Sequence, residues 1–363
     1  MLGVLEKLGR RALFCLDPET AHGLSIQALK SGVPVALSPH YDQRLRTTVA
    51  GLAFDNPLGM AAGYDKNAEA PDALLRLGFG FVEVGTITPL PQSGNPKPRI
   101  FRLTEDQAVI NRLGFNNEGH DAAERRLAAR AWRAGTVGVN IGANKDSADR
   151  MRDYELGVER FAALASYLTV NISSPNTPGL RDMQARASLA ELLSRVVAAR
   201  DAVILKAGRK VPLFLKIAPD LHQADLEDIA AEVLENRLEG VIVSNTTIAR
   251  PALKSSAHAA EAGGLSGRPL FERSTIALAK MRKLLGPDVA IIGVGGVDNA
   301  ETALEKIRAG ANLVQLYTGM IYAGPALPGR ILKGFSRFLD KEGLRSLAEI
   351  RDTRLGHWAD KAL

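Results

Sequence analysis

The sequence of 363 residues contains a single cysteine, Cys15. One thiol excludes an internal disulfide framework and a cysteine-rich zinc site, and it fits a reducing compartment; no metal site is predicted. The sequence has no run of 18 or more apolar residues, so no segment is predicted to span a bilayer. Charged residues between Glu6 and Arg11 interrupt the apolar residues at the N-terminus, so a signal peptide is not predicted.

Motifs for two common classes of ligand are missing as well. A net charge of +6 and a pI of about 9.4 could indicate a nucleic-acid partner. The lysines and arginines are spread along the chain, however, and no nucleic-acid-reading motif is present, so no nucleic acid is predicted as a partner. An anionic small molecule or an anionic membrane surface explains the charge equally well. No GxGxxG sequence opens a strand–helix unit in the right place, so a nicotinamide site is not predicted.

What the sequence does have is a regular alternation of strand and helix patterns. Eight strands, each followed by a predicted helix, are expected at residues 56–62, 81–88, 137–141, 167–172, 213–217, 240–243, 290–293 and 313–317. Eight such units favour an α/β fold of the (β/α)8 TIM barrel type over an open sheet, with the catalytic domain at residues 45–363. Residues 89–117 contain four prolines and are predicted to form a long functional loop.

Residues 1–40 are predicted to form a separate amphipathic helical extension. A short basic helix is predicted over residues 2–16, where leucines recur at helical spacing. Asp17, followed by Pro18, predicts the start of a second helix, and Gly32 predicts its end. The two helices could lie on a membrane surface, or they could pack on the barrel, and the sequence supports both interpretations.

The segment 170–178 (VNISSPNTP) changes abruptly from apolar to polar, as a buried strand does where it leaves the core. Paired asparagine side chains suit a ligand with alternating C=O and N–H groups. The alternative is an Asx/Ser turn that only caps the strand. Polar or glycine-rich residues gather at the other strand exits too, which is where barrels carry their chemistry.

Two further features at the strand exits leave alternatives open. Lys216 lies inside an apolar strand, where an unpartnered charge is costly. It could form a Schiff base, hold negative charge on a cofactor such as a reduced flavin, or reach solvent at the rim. The glycines of the seventh exit and Thr318-Gly319 of the eighth could bind a phosphate, or they could simply form tight turns.

Ten sequence blocks, in order between about residues 45 and 340, resemble the dihydroorotate dehydrogenase family. They are AAGYDKN (61–67), VGTITP (84–89), NRLGF (111–115), VNIGAN (139–144), VNISSPN (170–176), LKIAP (215–219), SNTT (244–247), GGLSGRP (263–269), GVGG (293–296) and VQLYTG (314–319). Ser174 and the N-terminal helices resemble the membrane-associated, quinone-reducing class 2, because the soluble class 1 enzymes carry cysteine at that position.

The resemblance implies bound FMN and the oxidation of (S)-dihydroorotate to orotate in de novo pyrimidine synthesis. Ser174 would be the base that takes the C5 proton while C6 delivers hydride to the flavin. The substrate would be bound by Lys66, Asn111, Arg112, Leu113, Gly114, Phe115, Asn171, Asn176, Asn245 and Thr246. FMN would be bound by Ala62, Gly63, Lys66, Thr86, Asn140, Asn171, Lys216, Ser244, Gly267, Gly296, Tyr317 and Thr318. Tyr64 stands where a smaller aliphatic residue is expected, and it would contact the flavin only through its backbone.

The resemblance also implies a membrane quinone as the final electron acceptor. His22 and Arg102 match positions at the family's quinone site, and the N-terminal helices would form the mouth of an apolar tunnel. Peripheral attachment to the cytoplasmic side of the cell membrane, without an obligatory protein partner, follows from the same resemblance. Four rival functions remain. Three are enzymes: a class 1 enzyme that uses fumarate, or a nicotinamide through a partner chain; a flavin barrel acting on tRNA uridines; and a Schiff-base aldolase using Lys216. The fourth is a non-enzymatic binding protein.

Overall fold

Eight parallel strands close into a barrel around the molecule's main axis. The computed structural model describes residues 9–32, 39–255 and 257–363. The barrel strands are β1 (Leu58–Met60), β2 (Phe81–Ile87), β3 (Thr136–Ile141), β4 (Tyr167–Asn171), β5 (Leu213–Ile217), β6 (Gly240–Val243), β7 (Ala290–Val294) and β8 (Leu313–Leu316). They follow one another around the barrel in chain order, and β8 pairs with β1 to close it. The TIM-barrel prediction is therefore confirmed, and each predicted strand overlaps an observed one.

Helices cover the outside of the barrel, which is why its strands are apolar on both faces. The helices are α1 (residues 9–14, from the first described residue), α2 (Pro18–Lys30), α3 (Pro71–Arg76), α4 (Gly119–Ala129), α5 (Arg150–Phe161), α6 (Arg186–Ala207), α7 (Gln223–Glu235), α8 (Phe271–Leu285), α9 (Ala300–Arg308), α10 (Thr318–Ala323), α11 (Leu327–Glu342) and α12 (Leu355–Ala359). The helix predicted to reach residue 134 ends at Ala129, and α12 was not predicted.

Aromatic rings close the N-terminal end of the barrel. The rings belong to a buried cluster that includes Phe54, Phe81, Tyr167 and Phe214. Phe54 comes from an antiparallel hairpin at residues 47–54, and the other three rings come from barrel strands. A glycine on the adjacent strand makes room for the Tyr167 ring: a Cβ on Gly138 would lie 2.1 Å from it. Because this end is filled, a ligand can enter the barrel only from its C-terminal end.

The long loop predicted at residues 89–117 contains two strands, which is a correction to the sequence-based interpretation. Ile100–Leu103 and Ala108–Asn111 pair as a hairpin, and Gly264–Gly267 adds a third antiparallel strand. This small sheet lies over the C-terminal end of the barrel. Its third strand comes from about 150 residues further along the chain, so local sequence patterns carry no sign of the pairing.

The N-terminal segment packs against the barrel and the small sheet. The Asp17 side chain caps α2 by accepting hydrogen bonds from the Glu19 and Thr20 N–H groups at 3.1 and 3.0 Å, as predicted. Arg99, just before the small sheet, makes a two-bond ion pair with Glu19 at 3.0 and 2.7 Å. Part of the first predicted helix, at residues 2–8, lies outside the described residues. Within the described ranges, no helix is long and apolar enough to cross a membrane.

Candidate active site

A cavity of about 880 Å³ opens at the C-terminal end of the barrel and continues to the N-terminal helices. Strand exits form its floor, the small sheet forms one wall, and α1 and α2 form the mouth. The predicted residues that line it are Ala62, Gly63, Lys66, Thr86, Asn111, Leu113, Gly114, Phe115, Asn171, Ser174, Asn176, Lys216, Ser244, Asn245, Thr246, Gly267, Gly296, Tyr317 and Thr318. His22 and Arg102 also line the cavity, at its helix side. The fold therefore gathers residues that are scattered over most of the chain.

Two predicted residues do not line this cavity. The Arg112 guanidinium instead pairs with Glu261 at 2.7 Å and lies over the Phe101 ring, 4.6 Å from its centroid. Its contacts therefore tie the small sheet to the segment before Gly264–Gly267. Asn140 is fully buried one layer below the cavity floor. Its amide acts through the side chains above it.

Three buried polar side chains on neighbouring strands form a closed network at the floor. The Thr86 hydroxyl donates to the Asn140 Oδ1 at 2.6 Å, and the Asn171 amide donates to the same oxygen at 3.0 Å. Asn171 also donates to the Thr86 hydroxyl oxygen at 2.9 Å. Because each bond constrains its partner, the two side chains that reach the cavity have fixed orientations before any ligand binds.

Glu83 anchors this network, and the sequence analysis did not single it out. Its buried carboxylate accepts from the Asn140 amide at 2.7 Å, the Tyr167 hydroxyl at 3.0 Å and the Gln315 amide at 2.9 Å. Three donors compensate the burial of the charge. They also fix which way the Asn140 amide points, and hence the donors and acceptors above it. An acidic residue inside the apolar run FVEVG was the available signal.

Lys216 faces the cavity from β5 and is 5% exposed. Among the described residues, none accepts a hydrogen bond from its Nζ or forms an ion pair with it. Burial lowers the pKa of Lys216, and the Glu83 carboxylate acts in the opposite direction. A cavity-facing amine in this position attracts an anionic ligand, whose charge would offset the cost of burial.

The exit of β4 brings the predicted serine and asparagines together. The Ser174 Oγ is buried at the cavity wall and accepts from the Asn176 backbone N–H at 3.2 Å. The Asn176 amide lies 3.4 Å from the Asn111 Oδ1 of the small sheet. On the other side, Asn245 donates to the Ser173 hydroxyl at 2.9 Å. The resulting row of amides offers both donors and acceptors to a flat polar ring.

The glycine-rich end of the cavity exposes backbone N–H groups. Gly296 follows β7 with a φ of 73°, and a Cβ there would lie 2.4 Å from the Phe271 Cβ. No described residue accepts a hydrogen bond from the N–H groups of Gly296, Thr318 or Gly319. The Thr318 hydroxyl donates to the Ser266 hydroxyl at 2.9 Å. N–H donors without described partners, on residues that line one cavity, suit a phosphate.

His22 links α2 to the cavity. Its Nε2 lies 3.3 Å from the Lys66 Nζ, and its Nδ1 lies 3.4 Å from the Tyr317 hydroxyl. Burial, with the nearby Lys66 charge, lowers the pKa of His22 to about 3, and burial lowers the pKa of Lys66 to about 8. The imidazole is therefore neutral at neutral pH, and it can accept a hydrogen bond from the Lys66 ammonium.

The helix side of the cavity holds two contacts that sequence reasoning missed. Arg102 donates to the backbone carbonyl of Phe14 at 2.9 Å and lies over its ring, so it holds the end of α1 against the small sheet. The Tyr64 ring packs edge-on against His22, with 5.2 Å between the ring centroids, and the Tyr64 hydroxyl lies 2.9 Å from the Ser25 hydroxyl of α2. Contact of the Tyr64 backbone with the flavin stays a prediction.

Comparison with known proteins gives a consistent family. The model of the family described as dihydroorotate dehydrogenase matches residues 44–339. A protein of Mesorhizobium japonicum named dihydroorotate dehydrogenase (quinone) is 71% identical over 100% of both chains, and one of Sinorhizobium fredii with the same name is 66% identical over 99% of both. A crystal structure of DHODH from Eimeria tenella in complex with ferulenol has a TM-score of 0.87 and 42% identity, covering 93% of this chain and 95% of that one. The chain belongs to the dihydroorotate dehydrogenase family.

Proposed function

We propose that this protein oxidises (S)-dihydroorotate to orotate in pyrimidine biosynthesis and passes the electrons through a flavin to a quinone. The observation that carries the proposal is the single cavity with two unlike halves. Its floor carries asparagines and a buried amine, whereas its mouth lies between apolar residues of α1 and α2. One cavity of this kind can serve a polar ring substrate and an apolar electron acceptor in turn.

FMN is the flavin that the residues fit best. The amine of Lys216 faces the cavity without an acidic partner among the described residues. The N–H groups of Gly296 and Thr318, which donate to no described residue, lie at another part of the same cavity. Lys216 would hold the ring end, with Ala62, Gly63, Thr86 and Asn171 around it and Asn140 below. Gly267, Gly296, Tyr317 and Thr318 would hold the phosphate, with Ser244 nearby. When bound, the flavin supplies the redox chemistry by accepting hydride and giving up electrons to the quinone.

Ser174 would take the proton from C5 of the substrate. The Asn176 N–H donates to its Oγ at 3.2 Å and so holds the hydroxyl at the cavity wall. Serine is a weak base, so proton loss has to be coupled to departure of the hydride from C6. The amides of Asn111, Asn171, Asn176 and Asn245 would bind the pyrimidine ring, and Lys66 would bind its carboxylate. A bound carboxylate favours the charged form of Lys66, whose pKa burial has lowered.

The quinone would enter between α1 and α2 and approach the flavin beside His22. Arg102, which holds Phe14 in place, lies at the same mouth. Both helices would rest on the cytoplasmic face of the cell membrane, where the quinone is dissolved. Exposed Leu16 and Leu24, with the basic Arg10 and Arg11, support attachment to an anionic surface.

The function is tested by mixing the purified yellow protein with dihydroorotate in the absence of oxygen. We expect the flavin absorbance to bleach, and to return on addition of a short-chain ubiquinone analogue but not of fumarate or NAD. Bleaching with return by fumarate alone would assign the protein to the soluble type. A colourless protein that borohydride traps with a carbonyl substrate would point to a Lys216 aldolase instead.

Membrane attachment needs a separate test, flotation with vesicles containing anionic phospholipid. We expect the wild-type chain to float with the vesicles and the Arg10→Glu/Arg11→Glu variant to remain in solution. Lys333→Glu is the matched control, because it changes an exposed basic residue on α11, away from the mouth. Flotation of all three proteins to the same extent would contradict attachment through the N-terminal helices.

A further inference from the structure

A lysine that the proposed reaction does not use is enclosed behind the glycine-rich end of the cavity. Lys306, on α9, is 0% exposed and ranks among the largest fully buried side chains of the described residues. Its Nζ donates to the Ser274 hydroxyl of α8 at 2.6 Å and lies 5.2 Å from the centroid of the Phe271 ring. No described carboxylate lies within ion-pair distance of it. A lysine in such a place is expensive to keep unless its charge is used.

The acidic side chains of α8 and α9 are all paired with basic residues other than Lys306. Arg282 of α8 pairs with Asp352 at 2.8 Å, and Glu305, the neighbour of Lys306 on α9, pairs with Arg354 at 3.0 Å. Asp298, ahead of α9, pairs with Arg268. Burial alone lowers the pKa of Lys306 far below its ordinary value. Without a nearby anion, burial therefore disfavours the charged form of the amine.

Ser274 connects this amine to the glycine turn. The Ser274 hydroxyl lies 3.1 Å from the Phe271 carbonyl oxygen and 3.3 Å from the Gly295 carbonyl oxygen, and it can donate to either while it accepts from Lys306. A Cβ on Gly295 would lie 2.7 Å from the Ser274 Oγ, so the turn and α8 are in close contact. Gly295 and Gly296 both line the cavity, and no described residue accepts a hydrogen bond from the Gly296 N–H.

We propose that Lys306 is a buried positioning residue for the phosphate of the cofactor, acting through Ser274 on the Gly295-Gly296 turn. When a phosphate dianion binds on the cavity face of the turn, Lys306 takes up a proton from solvent and offsets the charge from behind. The inference rests on the proposed function, because it assumes that the bound flavin is FMN. In this arrangement the glycine turn donates hydrogen bonds to the phosphate, and Lys306 behind the turn supplies a positive charge.

The test compares FMN with riboflavin, which has the same ring system and no phosphate. Wild-type chain and Lys306→Met are freed of flavin, and each is titrated with both compounds by flavin fluorescence quenching. We expect Lys306→Met to bind FMN about tenfold more weakly and riboflavin nearly as well as the wild type, since only FMN carries the charge that Lys306 would offset. Lys333→Met, which removes an exposed lysine from α11, should bind both compounds as the wild type does.

Proton uptake is the second measurement, and it does not depend on how well the variant folds. At pH 8 the FMN phosphate is already a dianion, so any proton taken up enters the protein. Calorimetric titrations in two buffers of different ionisation enthalpy should show wild-type uptake that is larger with FMN than with riboflavin. Any proton taken up by Lys66 or Lys216 would be seen with both compounds, and in Lys306→Met as well. The difference in proton uptake between FMN and riboflavin therefore reports on Lys306.

The possible outcomes separate the two proposals. Equal weakening of FMN and riboflavin by Lys306→Met, or equal proton uptake for the two compounds in the wild type, would overturn the role of Lys306 and leave FMN as the cofactor. A wild-type chain that binds riboflavin as tightly as FMN would refute a phosphate site at the glycine turn. Failure of the wild type to bind either compound would refute the proposed function itself, and the inference with it.

Discussion

The two halves of the cavity are held together in different ways. At the floor, Thr86, Asn140 and Asn171 are joined by hydrogen bonds of 2.6–3.0 Å and anchored on the buried Glu83. At the mouth, His22 has polar neighbours at 3.3 and 3.4 Å, and apolar residues of α1 and α2 line the cavity there. A closed network holds its donors and acceptors in one arrangement, which suits selection of a defined polar ring. A mouth with few strong bonds suits an acceptor recognised mainly by its apolar area.

The largest expected effect is on flavin reduction by dihydroorotate alone. Ser174→Ala removes the proposed base, so the rate of flavin reduction by dihydroorotate should fall by about 10²–10⁴-fold in stopped-flow measurements. Reoxidation of chemically reduced protein by quinone should stay within about twofold, because Ser174 does not contact the described mouth residues. Reduction at the wild-type rate would show that another group takes the proton.

The next largest effect is expected on the reaction with quinone at the mouth of the cavity. His22→Ala removes a side chain that contacts both Lys66 and Tyr317, and kcat/KM for quinone should fall about tenfold, as expected for the loss of one or two hydrogen bonds. The rate of flavin reduction by dihydroorotate should change much less. Gln27→Ala is the control on the same helix, because Gln27 is exposed and does not line the cavity. If both half-reactions slow equally in His22→Ala, the cavity does not divide functionally as proposed.

A smaller effect concerns the bond that joins the mouth to the barrel. Tyr64→Phe and Ser25→Ala each delete one partner of the 2.9 Å contact, and each should lower the free energy of unfolding by about 1 kcal/mol. The double variant should lose less free energy of unfolding than the two single variants together, since either single change already breaks the bond. Urea unfolding of the four proteins measures this coupling. Strict additivity would mean that the hydroxyl pair does not hold α2.

The smallest expected effect is a pH dependence of stability. The pKa of His22 is lowered to about 3 in the fold, against 6.5 in the unfolded chain. Between those values the unfolded chain binds the extra proton, so acidification from pH 6.5 towards 3 favours unfolding. His22→Gln removes this term, and its Tm should fall by about 1 °C less than that of the wild type between pH 7 and pH 6. Parallel falls in Tm would show that His22 is more accessible to protons than its contacts imply.

How much could be predicted from sequence depended on whether the signal was local. The eight barrel strands were found because each is a short apolar run bounded by polar or glycine-rich exits, and those exits marked most of the cavity-lining residues. The third strand of the small sheet was missed because Gly264–Gly267 pairs with a strand far away in the chain. Arg112 was grouped with its neighbours by sequence order, whereas in the structure its guanidinium turns away to Glu261.

The sequence by itself determined the barrel, the family and the residue types available at each strand exit, because strand periodicity and motif order are written along the chain. Only the tertiary structure decided which side chains share a network. Glu83 accepts hydrogen bonds from Asn140, Tyr167 and Gln315, which lie on three other strands. Lys306 donates to Ser274 on another helix, and Ser274 contacts the glycine turn. Such contacts depend on three-dimensional closeness between groups that are distant in sequence, and the cost of burying a charge can be judged only once its surroundings are known.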